Sequence, residues 1–179
     1  HEIELSQTFR ADTARWSLAW FDSSFRNAID FESGPPPMLV NRNRVRSRGA
    51  ELAGWLKAGS QWTLDASVTH ARSRVTATGN ALRNRPDWNA SIGAHWAPTQ
   101  SLKLSAAAVY TGSSFDSSIA TGDVRLPDYL RIDATAVWTF SKRVEAFLAI
   151  DNLTGQRYSQ FVGFETRGIV PQAGIRLTM

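Results

Sequence analysis

Apolar and polar residues alternate in several segments of the chain. In DWNASIGAHW, every second residue from Trp88 to Trp96 is apolar, and the residues between them are polar or small. The same pattern recurs in WTLDASVTH, YLRIDATAVW and AGIRLTM. A period of two residues places successive side chains on opposite faces of a β-strand. The sequence therefore predicts an all-β protein whose strands each have one apolar and one polar face.

We predict nine strands and almost no helix. The approximate strand bounds are 2–10, 13–25, 45–58, 61–75, 86–97, 101–115, 127–140, 143–152 and 168–179. The segment RGAELAGWLKAG is rich in helix-favouring residues, but Gly49 and Gly54 weaken a helix there. As a strand it places Leu52 and Leu56 on one side, so we assign it to the third strand.

The predicted connections alternate between short and long. Short turns are expected at 11–13, 59–61, 98–100 and 141–143, and long loops at 26–44, 76–85, 116–126 and 153–167. Outer-membrane barrels combine short periplasmic turns with long extracellular loops. The alternation therefore favours an antiparallel transmembrane β-barrel, in which a tilted strand of about 9–11 residues crosses the membrane.

The chemistry of the two predicted faces agrees with such a barrel. The apolar face carries aromatic residues toward the turn ends of the strands, as in a membrane-interface girdle: Trp16, Trp62, Trp96, Trp138 and Phe140. The other face carries charges that suit a wet lumen better than a dry core: Glu4, Asp65, Lys103, Arg131, Asp133 and Arg176. A soluble barrel or sandwich with its apolar faces inward is the alternative, because alternation alone does not tell inside from outside.

Composition excludes several kinds of site. The chain has no cysteine, which rules out disulfides, thiolate metal ligands and cysteine nucleophiles. Its three histidines lie in separate segments without carboxylates at metal-ligand spacing. We therefore predict neither an enzyme nor a resident metal or cofactor.

The charge balance gives little indication of nucleic-acid binding. The formal net charge is +4, but no block of five or six like charges occurs. Four arginines alternate with other residues and fall on one face of a strand: Arg42, Arg44, Arg46 and Arg48. We interpret them as a polar wall, with a phosphate-binding patch as the alternative.

Ordered motifs along the chain resemble the barrel of TonB-dependent outer-membrane receptors. The segment VEAFLAIDNLTGQRY resembles the penultimate strand of that family through Asp151, Asn152, Leu153, Arg157 and Tyr158. Further segments resemble other strands of the family in the same order: HEIELSQTF, RSRGAELAGWLKAGSQWTLDASVTHARSR, LRNRPDWNASIGAHW and LPDYLRIDATAVWTF. The resemblance extends over essentially the whole chain.

The resemblance implies that residues 1–179 form the C-terminal part of a 22-stranded barrel in a Gram-negative outer membrane. It also implies energy-coupled uptake of a ferric siderophore, haem or cobalamin. The partners would be outer-membrane lipid, the N-terminal plug and remaining strands of the receptor, and the periplasmic protein TonB acting through that remaining part. Neither a plug domain nor a coupling box is recognisable in this chain. A small self-contained outer-membrane barrel with a structural or adhesive role is the alternative.

Substrate contacts are expected on the outer loops, because recognition residues commonly lie on loops carried by a rigid scaffold. The candidates are Arg83, Arg85, Asp116, Arg125, Tyr158, Phe164 and Arg167, with Asp123 and Phe161 beside them. Arginine and aromatic side chains suit an anionic or aromatic-bearing chelate. Asp151 and Asn152, by contrast, are expected to make turn hydrogen bonds where a strand ends.

Overall fold

The computed structural model describes residues 1–9, 12–32 and 34–178. Their strands are β1 (Glu2–Thr8), β2 (Ala14–Glu32), β3 (Met38–Ala58), β4 (Trp62–Val75), β5 (Trp88–Trp96), β6 (Leu102–Thr111), β7 (Ser114–Ser118), β8 (Gly122–Leu126), β9 (Tyr129–Ser141), β10 (Val144–Asp151), β11 (Ser159–Phe161), β12 (Phe164–Glu165) and β13 (Val170–Leu177). None of the described residues belongs to a helix long and apolar enough to cross a membrane.

Nine strands form one antiparallel sheet in the order β1-β2-β3-β4-β5-β6-β9-β10-β13. Each of the nine predicted strands corresponds to one strand of this sheet, which confirms the all-β prediction. The segment RGAELAGWLKAG lies within β3, so its assignment as a strand is also confirmed. Arg10, Ala11 and Met179, which the predicted elements included, lie outside the described residues.

The predicted long loop at 26–44 is wrong. β2 continues to Glu32 and β3 starts at Met38, and the two strands stay paired up to the contact between those residues. The charged residues of this part of the hairpin lie on the face that carries Leu18 and Leu52 farther down, so the apolar pattern of that face does not continue into it. The hairpin therefore projects well beyond the rest of the sheet.

Two other predicted loops contain short hairpins of their own. β7, which starts at Ser114, pairs with β8 in the region of the loop predicted at 116–126, and β11 pairs with β12 within the loop predicted at 153–167. The predicted strand at 101–115 is therefore too long, because β6 ends at Thr111. The Gly112 amide still donates to the Trp88 carbonyl at 2.8 Å, and the chain then leaves the sheet for β7.

Cross-strand register assigns every strand residue to one of two faces, because directly opposed residues point to the same side. One row of opposed residues on the apolar face is Leu5, Leu18, Leu52, Val68, Ala90, Tyr110 and Leu130. The neighbouring row on the polar face is Ser6, Ser17, Ala53, Ser67, Ser91, Val109 and Arg131. The predicted separation of the faces is confirmed.

Aromatic residues border the apolar face at both ends. At the turn end, Trp62 stacks on Trp96 with 5.2 Å between ring centroids, as the predicted girdle requires. At the loop end Trp20, Trp88 and Tyr110 lie on the same face. β5 has 9 residues, so its terminal tryptophans lie about 26 Å apart along the strand. With the strand tilt of about 40° found in outer-membrane barrels, this is about 20 Å along the membrane normal, close to the apolar band of about 25 Å.

The sheet is open within the described residues. β1 and β13 are its edges and do not pair with each other. The buried apolar side chains lie mainly near the loop end rather than between layers: Val45, Val75, Leu126 and Tyr158. The strands thus form a wall, whose two faces meet different surroundings, and not a closed core of their own.

The orientation of this wall is testable at Ile92, in the middle of β5 and 59% exposed on the apolar face. We expect Ile92→Arg in the full-length protein to lower the free energy of unfolding by about 2–4 kcal/mol, because a charge then enters the bilayer midplane. Urea unfolding in lipid vesicles measures the loss.

Ser91 gives the matched control, because it faces the polar side one residue away. Ser91→Arg removes the 2.8 Å hydrogen bond between the Ser67 and Ser91 hydroxyls and should cost only about 1 kcal/mol. Similar losses for the two arginine variants would contradict a lipid-facing apolar side.

Candidate functional site

Charged residues from three separate segments meet at the loop end of the sheet. This loop-end cluster consists of Asp30, Glu32, Arg42, Arg83 and Asp116. Strands β2 and β3 supply the first three residues, the connection between β4 and β5 supplies the fourth, and β7 supplies the last. The cluster joins parts of the chain that are far apart in sequence.

Two arginines link the carboxylates of the loop-end cluster. Arg42 Nε lies 3.2 Å from Asp30 Oδ2, and Arg42 Nη1 lies 2.8 Å from Glu32 Oε1. Arg83 Nε lies 3.6 Å from Asp30 Oδ1, and its Nη1 lies 3.2 Å from Asp116 Oδ1. Asp30 is therefore shared between the hairpin arginine and the loop arginine.

Asp116 holds two outer loops together. It is only 5% exposed, and its Oδ2 accepts a 2.9 Å hydrogen bond from the Val162 amide between β11 and β12. Arg83 also donates to the Ser117 carbonyl at 3.4 Å and lies over the Phe31 ring, 5.1 Å from its centroid. Removing the Asp116 carboxylate would leave both the Arg83 and the Val162 donors without this acceptor.

The neighbouring carboxylates favour the charged form of Arg42. Burial by itself would lower the pKa of Arg42, but hydrogen bonds to Asp30 and Glu32 outweigh it and raise the pKa above its usual value. Beside the cluster is a cavity of about 450 Å³, whose lining includes Arg42, Arg83, Ser117 and Asp123. It therefore offers both positive and negative groups to a polar guest.

Asn152 organises the next outer connection. It is 4% exposed and has a positive φ of 55°, which asparagine tolerates better than most residues. Its Nδ2 donates to the carbonyls of Gln156 at 3.0 Å and Arg167 at 3.1 Å, and its amide donates to Asp133 Oδ1 at 2.9 Å. The expected turn role of Asn152 is confirmed, because its hydrogen bonds close both ends of this loop.

The structure brings together only two of the predicted site residues, Arg83 and Asp116, through the ion pair of the cluster. Tyr158 is 7% exposed and stacks on Tyr129 with 3.7 Å between ring centroids, so its ring supports the loop from within. The other candidates are exposed on the outer connections: Arg85, Asp123, Arg125, Phe161, Phe164 and Arg167.

The exposed candidates differ in their internal contacts. Arg125 Nη2 donates to Ser113 Oγ at 3.2 Å, and the Arg167 carbonyl, not its side chain, accepts from Asn152. The Arg85 side chain makes no hydrogen bond or ion pair with the described residues. Phe164 is 72% exposed. These side chains are available to a ligand at the outer mouth.

Sequence reasoning missed Asp30, Glu32 and Arg42. Their segment was predicted to be a loop, although a signal for pairing was present. The acidic residues of RNAIDFE and the arginines of NRNRVRSR both recur at alternate positions and share one face of the hairpin, where Arg42 pairs with Asp30 and Glu32. Opposite charges at matching periods on two adjacent segments are typical of an extended hairpin.

Comparison with known proteins identifies the family. Residues 1–153 match the family model described as TonB dependent receptor-like, beta-barrel. The chain belongs to this family. TonB-dependent receptors are Gram-negative outer-membrane proteins, so the nine-stranded wall is part of an outer-membrane β-barrel, with its apolar face toward lipid and its polar face toward the lumen.

One curated relative is the probable TonB-dependent siderophore receptor PiuA of Acinetobacter baumannii. It is 26% identical to this TonB-dependent receptor segment over 143 residues, which are 69% of this chain and 18% of the relative. The segment therefore spans about a fifth of the length of that protein.

Solved receptors share the fold of the segment. The crystal structure of PiuA from A. baumannii has a TM-score of 0.79 at 22% identity and covers 98% of this chain and 28% of its own. The ferripyoverdine receptor of Pseudomonas aeruginosa has a TM-score of 0.77 at 16% identity, with 98% and 26% covered. The copper transporter OprC has a TM-score of 0.79 at 14% identity, with 99% and 31% covered.

The role of Asp116 in the receptor segment is testable by amide hydrogen exchange. In the full-length receptor, we expect Asp116→Ala to raise exchange at Val162 by about tenfold, because the loss of one buried hydrogen bond is worth about 1.4 kcal/mol. Exchange would be followed by mass spectrometry of peptides from the β11–β12 hairpin.

Asp123→Ala is the matched control, because Asp123 is exposed on the same β7–β8 hairpin and makes no side-chain bond to Val162. Amide exchange at Val162 in the Asp123→Ala variant should equal that in the unaltered receptor. If the two alanine variants behave alike, Asp116 does not tie the outer loops together.

Proposed function

We propose that this chain is part of a receptor that imports a ferric siderophore across the outer membrane. The observation that carries the proposal is the sequence similarity to a curated relative whose name is that of a siderophore receptor. Similar folds alone would not support a substrate, since the copper transporter has the same fold over this segment.

The outer connections have chemistry that suits an anionic chelate. Exposed arginines at Arg85, Arg125 and Arg167 can donate paired hydrogen bonds to carboxylate, catecholate or hydroxamate oxygens of a ferric complex. The exposed rings of Phe161 and Phe164 can contact its apolar parts. Haem and cobalamin also carry anionic groups, so these residues do not distinguish them from a ferric siderophore. The uptake experiment therefore includes both compounds.

Uptake would need partners outside this segment. The remaining strands would close the barrel, an N-terminal plug would fill it, and TonB would supply energy through that remaining part of the receptor. Arg85 and the loop-end cluster would then line the outer mouth above the plug. The segment contributes the wall and part of the mouth, while the gated passage is assembled with the rest of the receptor.

The open edges weigh against the self-contained barrel as an alternative. A small outer-membrane barrel closes by pairing its first and last strands. Here β1 and β13 do not pair within the described residues. Their exposed backbone groups need additional strands before the sheet is stable in lipid.

The proposal predicts energy-dependent iron uptake by the full-length receptor. A strain lacking the receptor gene should lose ⁵⁵Fe accumulation from one ferric siderophore of a panel, and the restored gene should recover it. Deletion of the TonB gene should abolish the same uptake. Parallel measurements use haem, cobalamin and copper. If the receptor takes up haem, cobalamin or copper but none of the siderophores, the proposed substrate is wrong. The assignment to the receptor family would still hold.

Arg85 offers a direct test of ligand contact, because its side chain has no internal partner among the described residues. We expect Arg85→Glu to weaken binding of the transported ferric siderophore by about tenfold, through charge repulsion. Lys142→Glu makes the same change of charge at the opposite, turn end of the barrel and should leave binding unchanged. Equal binding by both variants would remove Arg85 from the substrate site.

A further inference from the structure

Four arginines lie on the lipid-facing side of the barrel. Arg46 is directly opposite Arg74, and Arg48 is directly opposite Arg72, in the uninterrupted register of β3 and β4. The same register places Leu52 and Val68 on this face. We call the four residues the arginine patch.

The arginine patch lies at the level of the lipid head groups. His70 packs against Trp88 of the outer aromatic border, with 4.4 Å between ring centroids. Arg72 is the next residue of β4 on that face, and Ala50, opposite His70, is followed toward the loops by Arg48. Aromatic girdles mark the membrane–water interface. The arginines therefore begin where the hydrocarbon ends.

Carboxylates neutralise only part of the patch. Arg46 pairs with Asp22, while Arg74 and Arg72 lie 2.8 Å and 3.7 Å from Asp87 Oδ2. Arg48 is exposed and forms no ion pair with the described residues. Four guanidinium groups thus share two carboxylates. Like charges directly opposite each other on a sheet repel, so the arrangement favours a bound anion.

The spacing of the patch suits phosphate groups. Neighbouring strands lie about 4.8 Å apart, and alternate residues of one strand lie about 6.6 Å apart. The four guanidinium groups therefore start from the corners of a small rectangle on one face. Arginine donates two parallel hydrogen bonds to phosphate, and its long side chain can close around such a group.

An apolar groove lies on the same face, deeper in the membrane. It has a volume of about 580 Å³, and its lining includes Trp16, Leu52, Gly54, Leu56, Ala66 and Ile92. Gly54 lies in this lining, where β2 approaches closely: a Cβ there would lie 3.0 Å from the Arg15 carbonyl oxygen and 3.5 Å from the Trp16 side chain.

The vertical distance between groove and patch fits one lipid leaflet. Gly54 lies six residues from Arg48 on β3, which is about 20 Å along the strand. With a strand tilt of about 40°, this corresponds to about 15 Å along the membrane normal. Half of the hydrocarbon core is also about 15 Å thick.

We propose that the arginine patch binds the phosphorylated head group of an outer-leaflet glycolipid, whose acyl chains follow the apolar groove below it. The site lies on the outer wall of the barrel and is separate from the loop-end cluster and from any substrate in the lumen. Its position, its unbalanced positive charge and the groove beneath it all lead to the same class of ligand.

Native mass spectrometry of the full-length receptor in detergent tests this site with diphosphorylated lipid A. We expect Arg48→Gln combined with Arg72→Gln to reduce lipid A affinity by about tenfold or more, because charge-assisted hydrogen bonds to phosphate are lost. Lys142→Gln combined with Arg143→Gln removes the same charge at the turn end and should change the affinity less than about twofold.

Further comparisons separate the possible ligands. Dephosphorylated lipid A should bind much more weakly, and inorganic phosphate at millimolar concentration should not displace lipid A. Equal binding of phosphorylated and dephosphorylated lipid A would show that only the apolar groove binds the lipid. Displacement by inorganic phosphate would show that the arginine patch binds free anions. Either result overturns the proposal, as does unchanged lipid A affinity in the glutamine variant.

Arg48→Lys combined with Arg72→Lys guards against a folding defect in the glutamine variant. Both variants are first compared for folding by the mobility of unheated samples in detergent gels. The lysine variant keeps the charge but loses the paired donors, so its affinity should fall between those of the unaltered receptor and the glutamine variant. Full affinity in a folded lysine variant, together with full affinity in a folded glutamine variant, would contradict the site.

Discussion

The hydrogen-bond ladder between neighbouring strands is the interaction on which the rest of this structure depends. Hydrocarbon offers no water to the backbone, so each N–H and C=O group within the membrane must pair with an adjacent strand. The ladder also fixes the faces, because a slip of one residue would exchange them. The uninterrupted register from Leu18 through Leu52 to Val68 therefore has two effects. It pairs the backbone N–H and C=O groups of these strands, and it places the leucine and valine side chains toward lipid.

The same ladder continues beyond the membrane and carries the candidate site. β2 and β3 remain paired past the outer aromatic border, so Asp30 and Arg42 project from strands and not from loops. Arg83 then docks on this hairpin from another connection by pairing with Asp30, and Asp116 pairs with Arg83 from β7. Ordering such connections costs conformational entropy. Charge-assisted hydrogen bonds to a rigid hairpin offset part of that cost, which gives the outer mouth a defined shape.

The sequence allowed prediction of the fold where the two faces meet different surroundings. Within the apolar band, alternation identified all nine strands. Beyond Phe25 the face of β2 that carries Leu18 changes from apolar to charged, with Asp30 and Glu32, so the apolar pattern stopped there and this part of the strand was missed. Arg83 and Asp116 could be chosen as outer-loop residues, but their partner Asp30 depends on the β2–β3 register, which local patterns do not reveal. The burial of Tyr158 likewise depends on stacking against Tyr129 from another strand.

The open edges determine how the segment can act. Unpaired backbone groups along β1 and β13 are not tolerated in lipid, so further strands must pair with both edges in the receptor. β1 pairs directly with β2 of the hairpin that carries Asp30 and Arg42. A strand added at that edge would lie close to the loop-end cluster. The outer mouth is therefore shared between this segment and its neighbours, whereas the arginine patch on β3 and β4 is formed by this segment alone.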